Sequence, residues 1–180
     1  MATDLPPLAD THDLHAVLPA LDLGKAVACL EAASSRFRGA VRHPVSLVED
    51  DVVWLDGDGS RALLLPAAPV LEVSSVQVDG AEVEVEWSDA GVLSRRSGRW
   101  PDRMRAVRVV YSHGYDPVPA EVREAVVAMA RYLAVAQPGV SSMQVGGQTV
   151  TTSAAAVDAT VGGPWDTVVA AYRLNRGDAP

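Results

Sequence analysis

Val76-Gln77-Val78-Asp79-Gly80-Ala81-Glu82-Val83-Glu84-Val85-Glu86-Trp87 alternates apolar and polar residues on both sides of an Asp-Gly pair. A period of two sends successive side chains to opposite faces of a strand, and Asp-Gly supplies the positive φ angles of a tight hairpin turn. The stretch predicts two antiparallel strands that share a valine face. Upstream, Val52-Val53-Trp54-Leu55 and Ala62-Leu63-Leu64-Leu65 flank Asp56-Gly57-Asp58-Gly59, which predicts a second hairpin. A Pro66–Pro69 link then leads into Val70-Leu71-Glu72-Val73. Downstream, short strands are expected near Val92-Leu93 and over Arg105–Ser112, where Val107, Val109 and Tyr111 fall on one face.

Outside this region the apolar period lengthens to that of a helix. Asp10 is placed to cap a short helix carrying Leu14, Val17 and Leu18, which Pro19 interrupts. Asp22 is placed to cap the next, in which Leu23, Ala26, Val27, Leu30, Ala33 and Phe37 form one stripe. That helix should stop before His43-Pro44, because the residue preceding proline avoids helical geometry. Helix resumes at Pro119, with Glu121 and Glu124 complementing the positive end of the dipole. Val122, Ala125, Val126, Met129, Leu133 and Ala136 form its stripe, and Pro138-Gly139 ends it. A polar hairpin through Gln144–Thr152 about Gly146-Gly147 and a small-residue loop over Ser153–Gly163 follow. Pro164 opens a last helix with Trp165, Val168, Val169 and Tyr172 inward, and residues 1–9 and 175–180 are expected to fray.

The fold class is therefore α+β: a small helical bundle with an inserted antiparallel β region at about residues 45–112. As a single domain it divides into N-terminal helices over 10–43, a long core helix over 119–137, a short helix over 164–174 and a tail over 175–180. Apolar residues make up 48% of the 180 positions and aromatic residues only 5%, so the core must be built from Val, Leu and Ala. The net charge is −8, from 23 acidic against 15 basic residues, which argues against a tight nucleic-acid binder needing a basic footprint. Lys25 is the only lysine among the basic residues, the mark of a GC-rich coding genome. Cys29 is the lone cysteine, set in an apolar helical stripe where packing is its natural role. The start Met1-Ala2-Thr3-Asp4 lacks the basic and apolar segments of a signal peptide, and no apolar run reaches the ~18 residues that span a bilayer. Synthesis in the cytoplasm and no membrane partner are the expectations.

The clusters that could carry chemistry are sparse. His12 and His15, one helical turn apart beside Asp10 and Asp13, have metal-ligand spacing, but a closed zinc site needs four ligands and an exposed polar face accounts for them. Asp56, Asp58 and Ser60 resemble the start of a calcium loop without its downstream bidentate Glu, so a turn is the expectation. His113-Gly114-Tyr115-Asp116 is the one cluster with a catalytic look, yet no nucleophile elbow or phosphate loop accompanies it. Its glycine is expected to let the chain leave the strand for the Pro117–Pro119 turn. Arg176-Gly177-Asp178 matches an adhesion tripeptide too short to carry weight. No catalytic residue, cofactor or metal is assigned.

Charge patterning says more. Glu82, Glu84 and Glu86 project from one strand face about 6–7 Å apart and repel one another. Arg95, Arg96, Arg99, Arg103, Arg105 and Arg108 crowd a nearby segment opposed only by Asp102. These are either solvated patches and a cross-strand ladder within one subunit, or the two halves of a contact in which one subunit's glutamates meet the next subunit's arginines. Repeated around a ring, the second arrangement is a head-to-tail contact. Exposed pairs contribute about 0–1 kcal/mol each, so they would set register while apolar burial supplied affinity.

In order along the chain, Ala-Val-Ala-Cys-Leu-Glu-Ala-Ala-Ser (26–34), the run from Leu63 to Gly80, Gly-Arg-Trp-Pro (98–101), Arg105 to Tyr115 and Val-Pro-Ala-Glu-Val (118–122) resemble the head–tail connector, or adaptor, proteins of tailed bacteriophages. Gly-Val-Ser-Ser (139–142), Gln-Val-Gly (144–146) and Tyr-Arg-Leu (172–174) continue the likeness, which covers nearly everything after residue 10. The resemblance implies a structural virion protein of the neck, made in the host cytoplasm and assembled as a ring, typically a dodecamer, beneath the portal protein. It implies a head–tail stopper or tail-terminator protein as the second partner. DNA would pass through the lumen without sequence-specific binding. It also implies that the C-terminal segment, here Tyr172, Arg173, Leu174, Asn175 and Arg176, reaches the portal. Twelve copies at −8 each would carry roughly −96 before screening, a charge that repels DNA phosphates.

Other readings compete. Another neck or tail-completion protein shares the structural class but docks elsewhere. A small hydrolase would use His113 and Asp116. A carbohydrate-binding module would need aromatic platforms, whereas the four Trp are scattered and mostly at inward phases.

Overall fold

The computed structural model describes residues 5–135, 142–145, 148–151 and 163–174. The chain forms two compact units, one from Met1–Arg42 with Val118–Pro180 and one from His43–Pro117. The first is helical and assembled from both ends of the chain. The second is a continuous β segment that starts before and ends after the alternating pattern.

In the helical unit, α1 (Thr11–Val17) starts at Asp10, whose carboxylate accepts the Asp13 N–H at 3.0 Å. Likewise α2 (Leu23–Val41) starts at Asp22, which accepts the Lys25 N–H at 3.1 Å. Each cap satisfies an amide that the first helical turn leaves without a partner. The α2 helix closes where Arg42 takes a left-handed φ of 65° and donates its N–H to Arg38. Its buried line is Ala26, Cys29, Leu30, Ala33, Ser34, Phe37 and Val41. Leu23 and Val27, expected inside, are 60% and 36% exposed, because the stripe faces α3 through small residues. Helix α3 (Ala120–Val135) buries Val122, Ala125, Val126, Ala130 and Ala134. Met129 and Leu133 are half-buried, and Ala136 lies outside the described residues. Alanines on both helices permit the close approach that larger side chains would prevent. Helix α4 (Gly163–Tyr172) packs on both, its Trp165 edge-on to Phe37 at 5.2 Å between ring centroids.

The leading segment departs from the fraying expected of it. Leu8 and Ala9 are buried, the Leu8 N–H donates to Ser34 Oγ at 2.9 Å, and Arg38 donates to the Pro6 carbonyl at 2.6 Å. Proline lacks a donor but keeps its acceptor, so an arginine from α2 is enough to tie the segment down.

The β unit contains β1 (Val48–Asp58), β2 (Ala62–Leu64), β3 (Val70–Val78), β4 (Ala81–Glu82), β5 (Val85–Trp87), β6 (Val92–Arg95) and β7 (Asp102–His113). One antiparallel sheet has the order β1-β7-β3-β4 and another β2-β6-β5. Between them lies a core that includes Leu63, Leu93, Trp100, Val107, Val109 and Tyr111. The Asp79-Gly80 turn forms as expected, with φ of 53° and 83° and with Gln77 opposite Glu82 and Val78 opposite Ala81. The expected single strand over 81–87 divides, however: its first residues pair with β3 and its last with β6.

The predicted hairpin between Val52–Leu55 and Ala62–Leu65 is corrected. The chain does turn, with Gly59 at φ 72° and Ser60 N–H on Asp58, but β1 pairs with β7 and β2 with β6. Gly57 serves closeness and not a turn, since a Cβ there would sit 1.9 Å from the Pro101 carbonyl oxygen. Of the second polar hairpin, β8 (Ser142–Val145) and β9 (Gln148–Thr151) pair antiparallel. The tail over 175–180 lies outside the described residues.

Candidate functional site

The residues singled out for contact sit mainly on the β unit. Arg96 lies between Glu84 and Glu86, at 3.5 and 3.4 Å, and all three side chains are more than 60% exposed. The loop after β6 thus returns beside β5 and forms the ladder internally for these two glutamates. Glu82 belongs instead to β4, in the other sheet, and is exposed. Arg95 turns onto its own chain, donating to the Arg99 carbonyl at 2.8 Å with its guanidinium 5.8 Å from the Trp100 ring. Arg99 donates to the Gly59 carbonyl, and Arg103 pairs with Asp79. Arg105 covers Trp54 at 5.6 Å, and Arg108 reaches Gln77 across the strands at 3.4 Å.

Trp54 departs from the inward phase expected of most of the tryptophans. It is 50% exposed, and Trp87 is 41% exposed. The signal was available: in a strand where Val53 and Leu55 face the core, the residue between them faces away.

The cluster with a catalytic look resolves into structure. His113 is 1% exposed and its Nε2 lies 3.2 Å from Asp51 Oδ2, so its partner is Asp51 and not Asp116. Burial pushes the imidazole below its ordinary value, with the Asp51 hydrogen bond and charge opposing. The ring stacks at a tilt on Tyr111, 4.7 Å away. A neutral imidazole enclosed in this way can hold two strands in register. Gly114 has φ 100°, and a Cβ there would approach the Ser46 carbonyl oxygen to 2.3 Å. The glycine lets the end of β7 cross that segment, where Ser46 and Tyr115 form a parallel bridge.

The carboxylates of Asp10 and Asp13 and the His12 ring lie within 4.8 Å of one another, but Asp10 is engaged in capping, and His15 turns to the Leu21 carbonyl at 3.0 Å. Asp56 accepts the Arg105 N–H at 2.7 Å and Asp58 accepts the Ser60 N–H; hydrogen bonding from Ser60, its side chain first and its N–H second, holds Asp58 below the usual carboxylate range. Both acids are turned toward the backbone, as a turn requires.

At the C-terminal end, the Tyr172 hydroxyl donates to Glu121 at 2.6 Å and lowers that carboxyl's affinity for a proton. Arg173 is exposed and Leu174 half-buried, while Asn175 and Arg176 lie outside the described residues. No described helix is long and apolar enough to cross a membrane.

No protein-family model and no curated protein matches the sequence. Solved structures do. A chain in the neck of an empty gene transfer agent particle, with C6 symmetry, aligns at a TM-score of 0.61 and 15% identity, covering 99% of this chain and 97% of its own. A chain in the neck of the native particle, with C12 symmetry, aligns at 0.57 and 16% identity over 99% and 97%. A chain in the native virion aligns at 0.57 and 15% identity over 99% and 96%. The fold is shared with these neck chains. At this identity what is shared is the backbone course, from one end of the neck fold to the other. The α+β class read from the sequence therefore stands.

Proposed function

We propose that this chain is a structural subunit of the neck of a tailed, phage-like particle. In this reading it is a head–tail connector (adaptor) that forms a ring beneath the portal protein and links the DNA-filled head to the stopper and tail. The observation that carries the reading is end-to-end similarity to neck chains, covering 99% of this chain. The relatives' necks with C6 and C12 symmetry support ring assembly, with a dodecamer as the expected copy number. The single catalytic-looking histidine is enclosed, which supports a structural role over a hydrolytic one. In the ring, an excess of acid would let DNA pass without adhering.

The segment Tyr172, Arg173, Leu174, Asn175 and Arg176 is the proposed portal contact, with Tyr172 anchored on Glu121 and Arg173 exposed. Glu82, Glu84 and Glu86 remain the proposed acidic half of the contact between copies. Of the arginines first paired with them, Arg95, Arg96, Arg99 and Arg103 hold internal partners and would have to exchange them. Electron microscopy of the full chain mixed with purified portal tests the reading: rings stacked on one face of the portal are expected. Truncation after Ala171 should weaken portal binding at least tenfold, and the Arg173→Glu variant should weaken it with the helical unit intact. Unchanged affinity in both would remove the tail from the contact. Docking to the tail side alone would favour the neighbouring reading, a tail-completion protein of the same class.

A further inference from the structure

The order β1-β7-β3-β4 sets two unlike surfaces at opposite edges of one sheet. On β1, Val52 and Trp54 face away from the core, 47% and 50% exposed, while Val53 and Leu55 pack against it. Arg105 lies over the Trp54 ring, and Arg108 is the residue directly opposite Trp54 on β7. The result is an exposed indole covered by one guanidinium, with a second arginine on the neighbouring strand whose guanidinium reaches Gln77. Trp and Arg are the residues most enriched where interfaces concentrate their energy.

At the other edge, β4 pairs only with the last two residues of β3. Beside it a groove of about 250 Å³ opens, lined by Val73, Val76, Val83 and Val85, by Ser74 and Ser75, and by Glu82 and Glu84. The valines pack against the core and the glutamates are exposed, so the groove has a valine floor interrupted by two serines and an acidic rim. Glu82 makes no ion pair among the described residues, and Glu84 makes only its exposed pair with Arg96.

We propose that Trp54 of one copy seats in the valine groove of a second copy, with Arg105 and Arg108 facing Glu82 and Glu84. The inference rests on the ring reading above and names the surface that would close the ring. A chain cannot satisfy itself in this way, because strands 4.7–4.9 Å apart put β1 and β4 about 14 Å from each other, farther than an indole reaches. Complementary patches on opposite edges make a heterologous contact, which repeats head to tail until rotation closes it. Charge selects the occupant: a cationic knob and an acidic socket on the same chain fit another copy of that chain. The contact also spares Arg95, Arg99 and Arg103 their internal bonds.

The test is sedimentation of the full chain across a concentration series, with circular dichroism to confirm folding. Trp54→Ala, the pair Arg105→Glu with Arg108→Glu, and the pair Glu82→Arg with Glu84→Arg should each weaken self-association at least tenfold. An equimolar mixture of the two charge-reversed chains should recover it, since each knob then meets a socket of opposite charge. Variants that associate as well as the unaltered chain, or a mixture that stays dissociated, overturn the contact and leave the neck reading standing on another surface. An unaltered chain that stays monomeric throughout also overturns it. Portal binding, measured separately, then decides the neck reading.

Discussion

The two units differ in how their contacts are distributed along the chain. Within the helical unit, the helices are specified by residues three and four apart and, for α1 and α2, by an adjacent aspartate cap. In the β unit, the long strands β1, β3 and β7 depend on partners far away in sequence: Val53 lies opposite Val109, and Val70 opposite His113. Local order is robust to an error elsewhere, whereas a long-range ladder fails at any single point where two backbones must cross. The helical unit should therefore be most sensitive to lost volume and the β unit to added volume.

Phe37→Ala offers the largest test of that contrast. Phe37 is fully buried and edge-on to Trp165, and its truncation should cost about 3–5 kcal/mol. Hydrogen exchange should show the loss among α2, α3 and α4; a loss spread equally over the β strands would break the comparison. Gly114→Ala makes the opposite change. Overlap with the Ser46 carbonyl and a left-handed backbone should together cost roughly 3 kcal/mol in denaturant titration. Gly80→Ala, where a Cβ meets nothing within 4 Å, should cost only the backbone strain of about 1–2 kcal/mol. Asp22→Ala, which removes the α2 cap, should cost about 1 kcal/mol. Arg96→Ala is the smallest, under about 1 kcal/mol, because both of its partners are exposed.

A pH titration sharpens the same contrast without changing volume. His113 is held below its ordinary value of 6.5 by burial. Above that pH both folded and unfolded chains carry it neutral, and its contribution is fully present. As pH falls below 6.5 the unfolded chain binds the proton first, so stability declines until the lowered folded value is passed. The His113→Gln variant should lose this part of the slope. An unchanged slope would place the acid sensitivity elsewhere.

Legibility followed the range of the interaction. The α2 stripe was readable because Ala26, Leu30, Ala33 and Phe37 repeat at helical spacing, and the Asp79-Gly80 turn because its chemistry is local. The partner of β1 was not. Asp56-Gly57-Asp58-Gly59 looks like a hairpin turn and does redirect the chain, but nothing in it tells β2 to leave for the other sheet. The proposed contact residues were half legible. The glutamate row was visible as a pattern, but the sequence did not reveal that Arg96 folds back between two of its members. Trp54 was legible only through the phase of Val53 and Leu55, which face the core on either side of it.

By itself, then, the sequence determined the class of the fold, its caps and turns, and the division into helical and alternating stretches. These depend on spacings of two to four residues, which any reading of the chain contains. Tertiary structure alone decided which strands pair, that Asp51 and not Asp116 meets His113, and that Trp54 stands at one edge with a valine groove at the other. Such pairings depend on energy shared between residues tens of positions apart, and no local pattern records them.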